Sequence, residues 1–270
     1  MTQRWSVAGV DLEVAIVHPD APGPLLLFLH QGLGSVLHWR DWPTQIANDC
    51  ESPALIYSRQ GYGTSDELPG PRTARFLNEA AEEELPALLS VLFDTHPALR
   101  KRPRILIGHS DGASIALLYA SDPQQPNVEG VVAIAPHVFV EDICITAIAA
   151  LRESFPDSKF RERLARYHRN IDRTFDAWST VWLSPSFRSW TMTEEVARLD
   201  VPTLLIQGYD DAFGTMAQCD AIVKHASGPV DQLRLAHCGH SPPRERPNIT
   251  RDAIVSFVRR TLQGPQGRSR

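Results

Sequence analysis

Cysteine is sparse in this chain. Cys50, Cys144, Cys219 and Cys238 are the only four among 270 residues, and no two form a C-x-x-C pair. That spacing argues against a disulfide scaffold or a zinc ribbon, and it fits reduced thiols in a cytoplasmic protein. Long apolar runs are missing too. Leu25–Leu29 with its flanks falls far short of the roughly 20 residues that a membrane-spanning helix needs. Met1–Ala8 carries one Arg with no apolar stretch behind it, so neither a membrane anchor nor an export signal is expected. Basic residues are not in excess: 27 Lys and Arg stand against 32 Asp and Glu, a formal net charge of −5. Such a balance gives no general attraction to phosphate backbones and sets nucleic acid aside as a partner. There are 10 His, but no H-x-E-x-H or comparable spacing gathers them, so no metal and no cofactor is expected. Internal repeats and low-complexity tracts are also absent. What remains is ordinary globular usage, 43% hydrophobic and 22% charged, in a chain long enough for one large domain or a domain with an insertion.

The periodicity alternates between strand and helix. Val10–Val17 alternates loosely and then meets Pro19, Pro22 and Pro24, which predicts a hairpin-like start. Leu25–His30, Ala54–Ser58, Arg104–Gly108, Val131–Ala135, Thr203–Gln207 and Leu233–Ala236 are short apolar runs that read as strands. Phe76–Phe93, Gly112–Ala120 and Asn248–Leu262 read as helices, the last with Asn248 or Thr250 able to cap it. Strands that are apolar along their whole length and separated by helices predict an α/β fold, a mostly parallel central sheet flanked by helices. Between Ile143 and Thr193 the strand signal stops. That stretch holds eight of the chain's 21 aromatics and reads as a helical insertion. The expected division is a core of 1–142 and 194–263, a helical segment over 143–193, and a frayed polar tail over 264–270.

Chemistry concentrates at strand ends. Gly108-His109-Ser110-Asp111-Gly112 is a G-x-S-x-G string, weak alone, but here a strand leads into it and a helix leads out. In such an elbow small residues flank a strained serine, whose hydroxyl stands over a helix N-terminus that stabilises negative charge. Serine at its free pKa needs a base, and the base needs an orienting carboxylate. His240 lies in Cys238-Gly239-His240-Ser241-Pro242, after the strand Leu233–Ala236. Asp210 and Asp211 follow the strand Thr203–Ile206, and either can reach His240 on sequence grounds. All three groups sit where open α/β sheets place their sites, beyond the carboxyl ends of parallel strands.

These strings together resemble the α/β-hydrolase superfamily, in its serine-nucleophile esterase and meta-cleavage-product hydrolase branch. The likeness covers nearly the whole chain. His30-Gln31-Gly32-Leu33-Gly34 is similar to the family's oxyanion loop, and Ser58-Arg59-Gln60-Gly61-Tyr62-Gly63-Thr64-Ser65 to its Gly-rich loop. The resemblance continues through Gly108–Gly112, Gly208–Asp211 and Gly239-His240. It implies an α/β-hydrolase fold with a helical cap at the aromatic block, and a catalytic triad of Ser110, Asp211 and His240. The family acid commonly lies three residues after the glycine, which selects Asp211 over Asp210. Gln31 stands where the family often has Gly; the resemblance then gives Gly32 and Asp111 as the amides of the oxyanion hole.

The implied activity is hydrolysis of a small carboxylic ester or thioester through an acyl-enzyme. Relatives with the same triad cleave carbon–carbon bonds in ring-cleavage products, and a ligand-binding protein that keeps the fold without turnover is the third reading. A serine at position 110 argues against dehalogenase and epoxide hydrolase chemistry, which uses a carboxylate there. Phe175, Trp178 and Trp182 recur at helical spacing on one face. They glue the insertion to the body or, for Trp178 and Trp182, line a pocket suited to an apolar or aromatic substrate. Asp111 carries two expectations: it caps the helix that begins at Gly112, or it faces the pocket and pairs with a cationic substrate group. Substrate identity and oligomeric state are not legible at this level.

Overall fold

The computed structural model describes residues 2–262. The expected tail, 264–270, lies outside them, as does residue 263 at the expected end of the core. In chain order the elements are β1 (Gln3–Val7), β2 (Val10–Val17), β3 (Leu25–Leu29), α1 (Trp42–Asp49), β4 (Ala54–Ser58), α2 (Phe76–Glu79), α3 (Leu85–Thr95), β5 (Arg104–His109), α4 (Asp111–Ala120) and β6 (Val128–Ile134). They continue with α5 (Asp142–Ser154), α6 (Lys159–Leu164), α7 (Ile171–Trp182), α8 (Thr193–Val196), β7 (Thr203–Gly208), α9 (Met216–His225), β8 (Val230–Leu235), α10 (Pro242–Glu245) and α11 (Pro247–Leu262). The eight strands form one sheet in the order β1-β2-β4-β3-β5-β6-β7-β8. β2 runs antiparallel to β1 and β4, and the remaining pairs are parallel. This is the α/β-hydrolase fold, a mostly parallel sheet flanked by helices.

Burial on both faces explains why the central strands show no alternation. In β3, Leu26 and Phe28 pack on one side with Trp39, Trp42 and Ile46, while Leu25, Leu27 and Leu29 pack on the other with Leu106 and Leu117. Both sets are removed from water, so every position is apolar. The same logic applies to α4, whose ten residues are all buried.

The structure corrects several boundaries. The opening hairpin joins β1 to β2 through Ala8 (φ 49°) and Gly9 (φ 84°), not through the prolines, which lie on the way to β3. Two consecutive positive-φ residues match the right-handed strand twist. β1 escaped notice because it is a half-exposed edge with only Trp5 and Val7 buried. The predicted helix Phe76–Phe93 exists, but a widened π turn over Ala80–Glu84 interrupts it. α1 and α9 gave no sequence signal, and α11 begins at Pro247, with Asn248 and Thr250 inside it rather than at its cap.

From Asp142 to Val196 the chain is helical, and the isolated bridge Phe139–Thr191 clasps the base of this segment. α7 buries Phe175, Trp178 and Trp182 on its inner face. Among the described residues no helix is long and apolar enough to cross a membrane.

Candidate active site

β5 ends at His109 and α4 begins at Asp111, so the chain reverses over Ser110 alone. Ser110 sits at φ 54° and ψ −119°, a region that costs a non-glycine residue roughly 1–3 kcal/mol. The flanking glycines permit it. A Cβ on Gly108 would lie 2.2 Å from the Gly112 carbonyl oxygen, and one on Gly112 would lie 2.0 Å from that of Leu29. The G-x-S-x-G spacing is therefore a packing requirement, because strand, elbow and neighbouring strand all meet here.

His240 and Asp211 arrive on separate loops that are stapled together. Gly208 lies so close to the histidine loop that a Cβ there would meet the Cys238 carbonyl oxygen at 2.1 Å. The Asp210 amide donates to that same carbonyl at 2.9 Å. His240 Nε2 then lies 2.9 Å from Ser110 Oγ, and its Nδ1 lies 2.8 and 3.0 Å from the two carboxylate oxygens of Asp211. The structure thus brings Asp211 to His240, and leaves Asp210 exposed. Burial works against ionisation of Asp211, but the facing His240 and the Phe213 amide outweigh it and hold the carboxyl below its usual range.

Three supports of this constellation were missed in the sequence. Gln207 Nε2 donates to Asp211 Oδ2 at 2.9 Å. Glu245 accepts from the amides of Gly239 and Ser241, which flank His240, at 2.7 and 2.9 Å. The third is His109, whose Nε2 donates to the His240 carbonyl oxygen at 2.7 Å. Burial and the neighbouring His240 push His109 down to about 3, so it stays neutral with its proton on Nε2. Only local tokens mark these residues: Gln207 is next to last in β7, His109 ends β5, and Glu245 closes the Pro-Pro-Arg-Glu turn of α10.

The loop after β3, the expected oxyanion loop, is held from below. Arg59, almost fully buried, donates to the carbonyls of His30 at 2.6 Å and Gln31 at 3.3 Å, and its own amide donates to His30 Nε2 at 3.1 Å. The amides of Gly32 and Asp111, the two expected oxyanion donors, find no acceptor among the described residues. The helical segment reaches the same loop from above. Gly63 donates its amide to His168 Nδ1 at 3.0 Å, and His168 Nε2 donates to the Leu33 carbonyl at 3.1 Å. One imidazole thereby ties the loop after β3 to the loop after β4, and burial lowers its pKa to about 4.

Trp178 and Trp182 both fall at this junction. A Cβ on Gly32 would lie 2.2 Å from Trp178 Nε1, so the indole edge rests on the loop after β3. The ring of Trp182 stands 5.1 Å from that of His137, which in turn stands 5.9 Å from that of His240. Asp111 does not cap α4. Among the described residues no amide donates to its carboxylate; it is buried, and its Oδ2 lies 3.9 Å from the Arg59 guanidinium. A side chain aimed down the helix would reach the free amides of the first turn; this one is turned toward Arg59 and the helical segment instead. No group of three or more His, Cys, Asp or Glu among the described residues is arranged to hold a metal ion. A separate cleft of about 350 Å³ lies between residues 61–72 and the outer face of α7, and it does not include Ser110, Asp211 or His240.

With this geometry in place, similarity to known proteins can be weighed. The profile of the alpha/beta hydrolase family matches residues 26–253, most of the chain. The chain belongs to that family. Among curated proteins, epoxide hydrolase A of Mycobacterium tuberculosis is 28% identical over 100 residues, which span 36% of this chain and 31% of that protein. Among solved structures, the enol-lactonase from Burkholderia xenovorans LB400 superposes with a TM-score of 0.71 at 18% identity, covering 95% of this chain and all of the other. The esterase EaEST from Exiguobacterium antarcticum gives a TM-score of 0.71 at 15% identity, covering 96% of this chain and all of the other. At such identities the structural likeness speaks for the fold.

Proposed function

We propose that this hydrolase-family protein is a serine hydrolase that cleaves a small carboxylic ester or thioester through an acyl-enzyme. The observation that carries the reading is the relay from Ser110 Oγ to His240 Nε2 at 2.9 Å and from His240 Nδ1 to Asp211 at 2.8 Å. Epoxide opening through a covalent ester needs a carboxylate nucleophile, and position 110 is serine. The elbow holds Ser110 where its hydroxyl attacks the carbonyl carbon, while His240 takes the hydroxyl proton. Asp211 keeps the second imidazole proton on Nδ1 and balances the imidazolium charge. The amides of Gly32 and Asp111 receive the oxyanion, each worth a factor of about 10² to 10³ in rate. Collapse expels the alcohol or thiol, which takes the proton from His240. A water then gives up a proton to the same imidazole, attacks the acyl carbon and frees the carboxylic acid and Ser110.

In this reading residues 1–142 and 194–263 form the core, and 143–193 act as a cap over the strand ends. Trp178 and Trp182 border the apolar or aromatic body of the substrate. The partner is a small molecule, neither nucleic acid nor membrane, and four free thiols fit a cytoplasmic setting. The test pairs a fluorophosphonate probe with a p-nitrophenyl acyl series from acetate to decanoate. Labelling confined to Ser110, a burst of nitrophenol and loss of both in Ser110→Ala support the proposal. An unlabelled Ser110 in folded protein overturns it.

A further inference from the structure

Beside Ser110 the structure holds buried polar atoms that the proposed triad does not use. Asp111 is 1% exposed, and its Oδ2 has no hydrogen-bond partner. The indole Nε1 atoms of Trp178 and Trp182 are likewise buried without a partner. A buried polar group left unpaired costs about 1–3 kcal/mol, so one such atom is a candidate contact and several together form a pattern. These three belong together. Trp178 Nε1 rests on Gly32, one expected oxyanion donor. Trp182 faces the carboxylate of Asp111 without closing a hydrogen bond to it, and the Asp111 amide is the other expected donor. All three thus lie beside the two expected oxyanion donors, where the proposed mechanism puts the acyl group.

Their chemistry selects the ligand. Two indoles only donate; an ionised carboxylate only accepts. An ammonium would satisfy Asp111 but leave both indoles unpaired and add positive charge beside Arg59, which already faces Asp111 at 3.9 Å. A carboxylate would satisfy the indoles and be repelled by Asp111. A hydroxyl does both, giving its proton to Asp111 Oδ2 and accepting from an indole N–H. The carboxylate oxygens of one residue lie roughly 3–5 Å from its own amide nitrogen, so a group reaching Asp111 from the oxyanion hole is one or two carbons along the acyl chain.

We infer that the acyl group of the substrate carries a hydroxyl on its second or third carbon, held between Asp111 and the indole N–H groups of Trp178 and Trp182. This rests on the serine-hydrolase reading and deepens it. On this inference the substrate group held at Asp111 is neutral, in place of the cationic group that was one of the two expectations for this residue.

The experiment measures kcat/KM for p-nitrophenyl 3-hydroxybutanoate, butanoate and 3-aminobutanoate with wild type, Asp111→Asn and Trp182→Phe. Wild type should favour the hydroxy ester over butanoate by about tenfold or more. Asp111→Asn should shrink that ratio severalfold. Trp182→Phe keeps an aromatic face, loses the N–H and should also reduce the ratio, so it carries the test if Asp111→Asn does not fold. A hydroxy-to-plain ratio near one in wild type, or a ratio that survives both substitutions, overturns the inference. A preference for the amino ester overturns it in favour of a cationic handle. If butanoate is not hydrolysed and Ser110 takes no fluorophosphonate, the serine-hydrolase reading itself has failed, which the butanoate arm separates from the first outcome.

Discussion

Two buried aspartates lie close to Ser110, and they live under opposite conditions. Asp211 accepts hydrogen bonds from His240, Gln207 and the Phe213 amide, and its pKa falls below the ordinary range despite burial. Asp111 is as deeply buried, one residue from Ser110, yet burial wins there and its pKa rises against the pull of Arg59, Arg72 and His240. Charge alone does not separate them: the guanidinium groups lie beside Asp111, yet it is Asp111 whose pKa rises. Hydrogen-bond count does. A carboxylate with its lone pairs filled is a finished part, fixed in one geometry, while one with an open oxygen at a reaction centre still has a bond to make.

The largest effects should come from the finished side. Ser110→Ala and His240→Ala should each lower kcat by about 10⁴ to 10⁶, with the double variant little worse than either single one. Losses that multiply would break the relay into independent parts. Next, Asp211→Asn should cost about 10³ to 10⁴ in kcat, while Asp210→Asn, on an exposed residue, stays within a few-fold of wild type. Parity between these two variants would dissolve the contrast drawn above. A smaller effect, about tenfold in kcat with KM little changed, is expected for Gln207→Leu, which removes one donor from Asp211 without touching substrate.

The last prediction concerns acid. His30, His109, His137 and His168 are all buried, chiefly desolvated, and titrate below their ordinary value; His109 and His137 fall to about 3 and His168 to about 4. The unfolded chain binds protons at these sites from about pH 6.5 downward while the folded chain does not. Stability is therefore full above that pH and lost as pH drops from about 6.5 toward 4, each group contributing up to about 1.4 kcal/mol per pH unit. Thermal melts should shift downward by several degrees between pH 7 and pH 5. His168→Gln should flatten part of that slope. A melting temperature constant across the range would show that these histidines are not neutral in the native state.

Much of the site was visible in the sequence because its demands are local. Only glycine tolerates the approaches at Gly108 and Gly112, and only certain strings then surround Ser110, so the elbow could be read directly. The same holds for Gly208 before Asp211. What stayed hidden depends on partners far along the chain. His168 meets Gly63 across 105 residues and Leu33 across 135, and nothing in Tyr167-His168-Arg169 foretells either bond. Asp111 was legible as a residue out of place but not as one turned away from its helix. β1 was lost for a third reason: its two apolar residues pack against an edge, too few to raise a pattern above the polar start of the chain.

The His168 bridge has a bearing on how this molecule is assembled. Parallel strands pair only across their crossovers, β6 with β7 across the whole helical segment, and bonds spanning more than a hundred residues likewise form only after the intervening chain has been laid down and docked. The loops beside Ser110 are thus shaped by a part of the polypeptide made later than they are. Trimming the helical segment to a short linker would take away more than the His168 brace between Gly63 and Leu33: Phe175, Trp178, Trp182 and Phe187 belong to the same buried cluster as Leu27, Leu106 and Leu117, so the sheet would lose part of its own core with it.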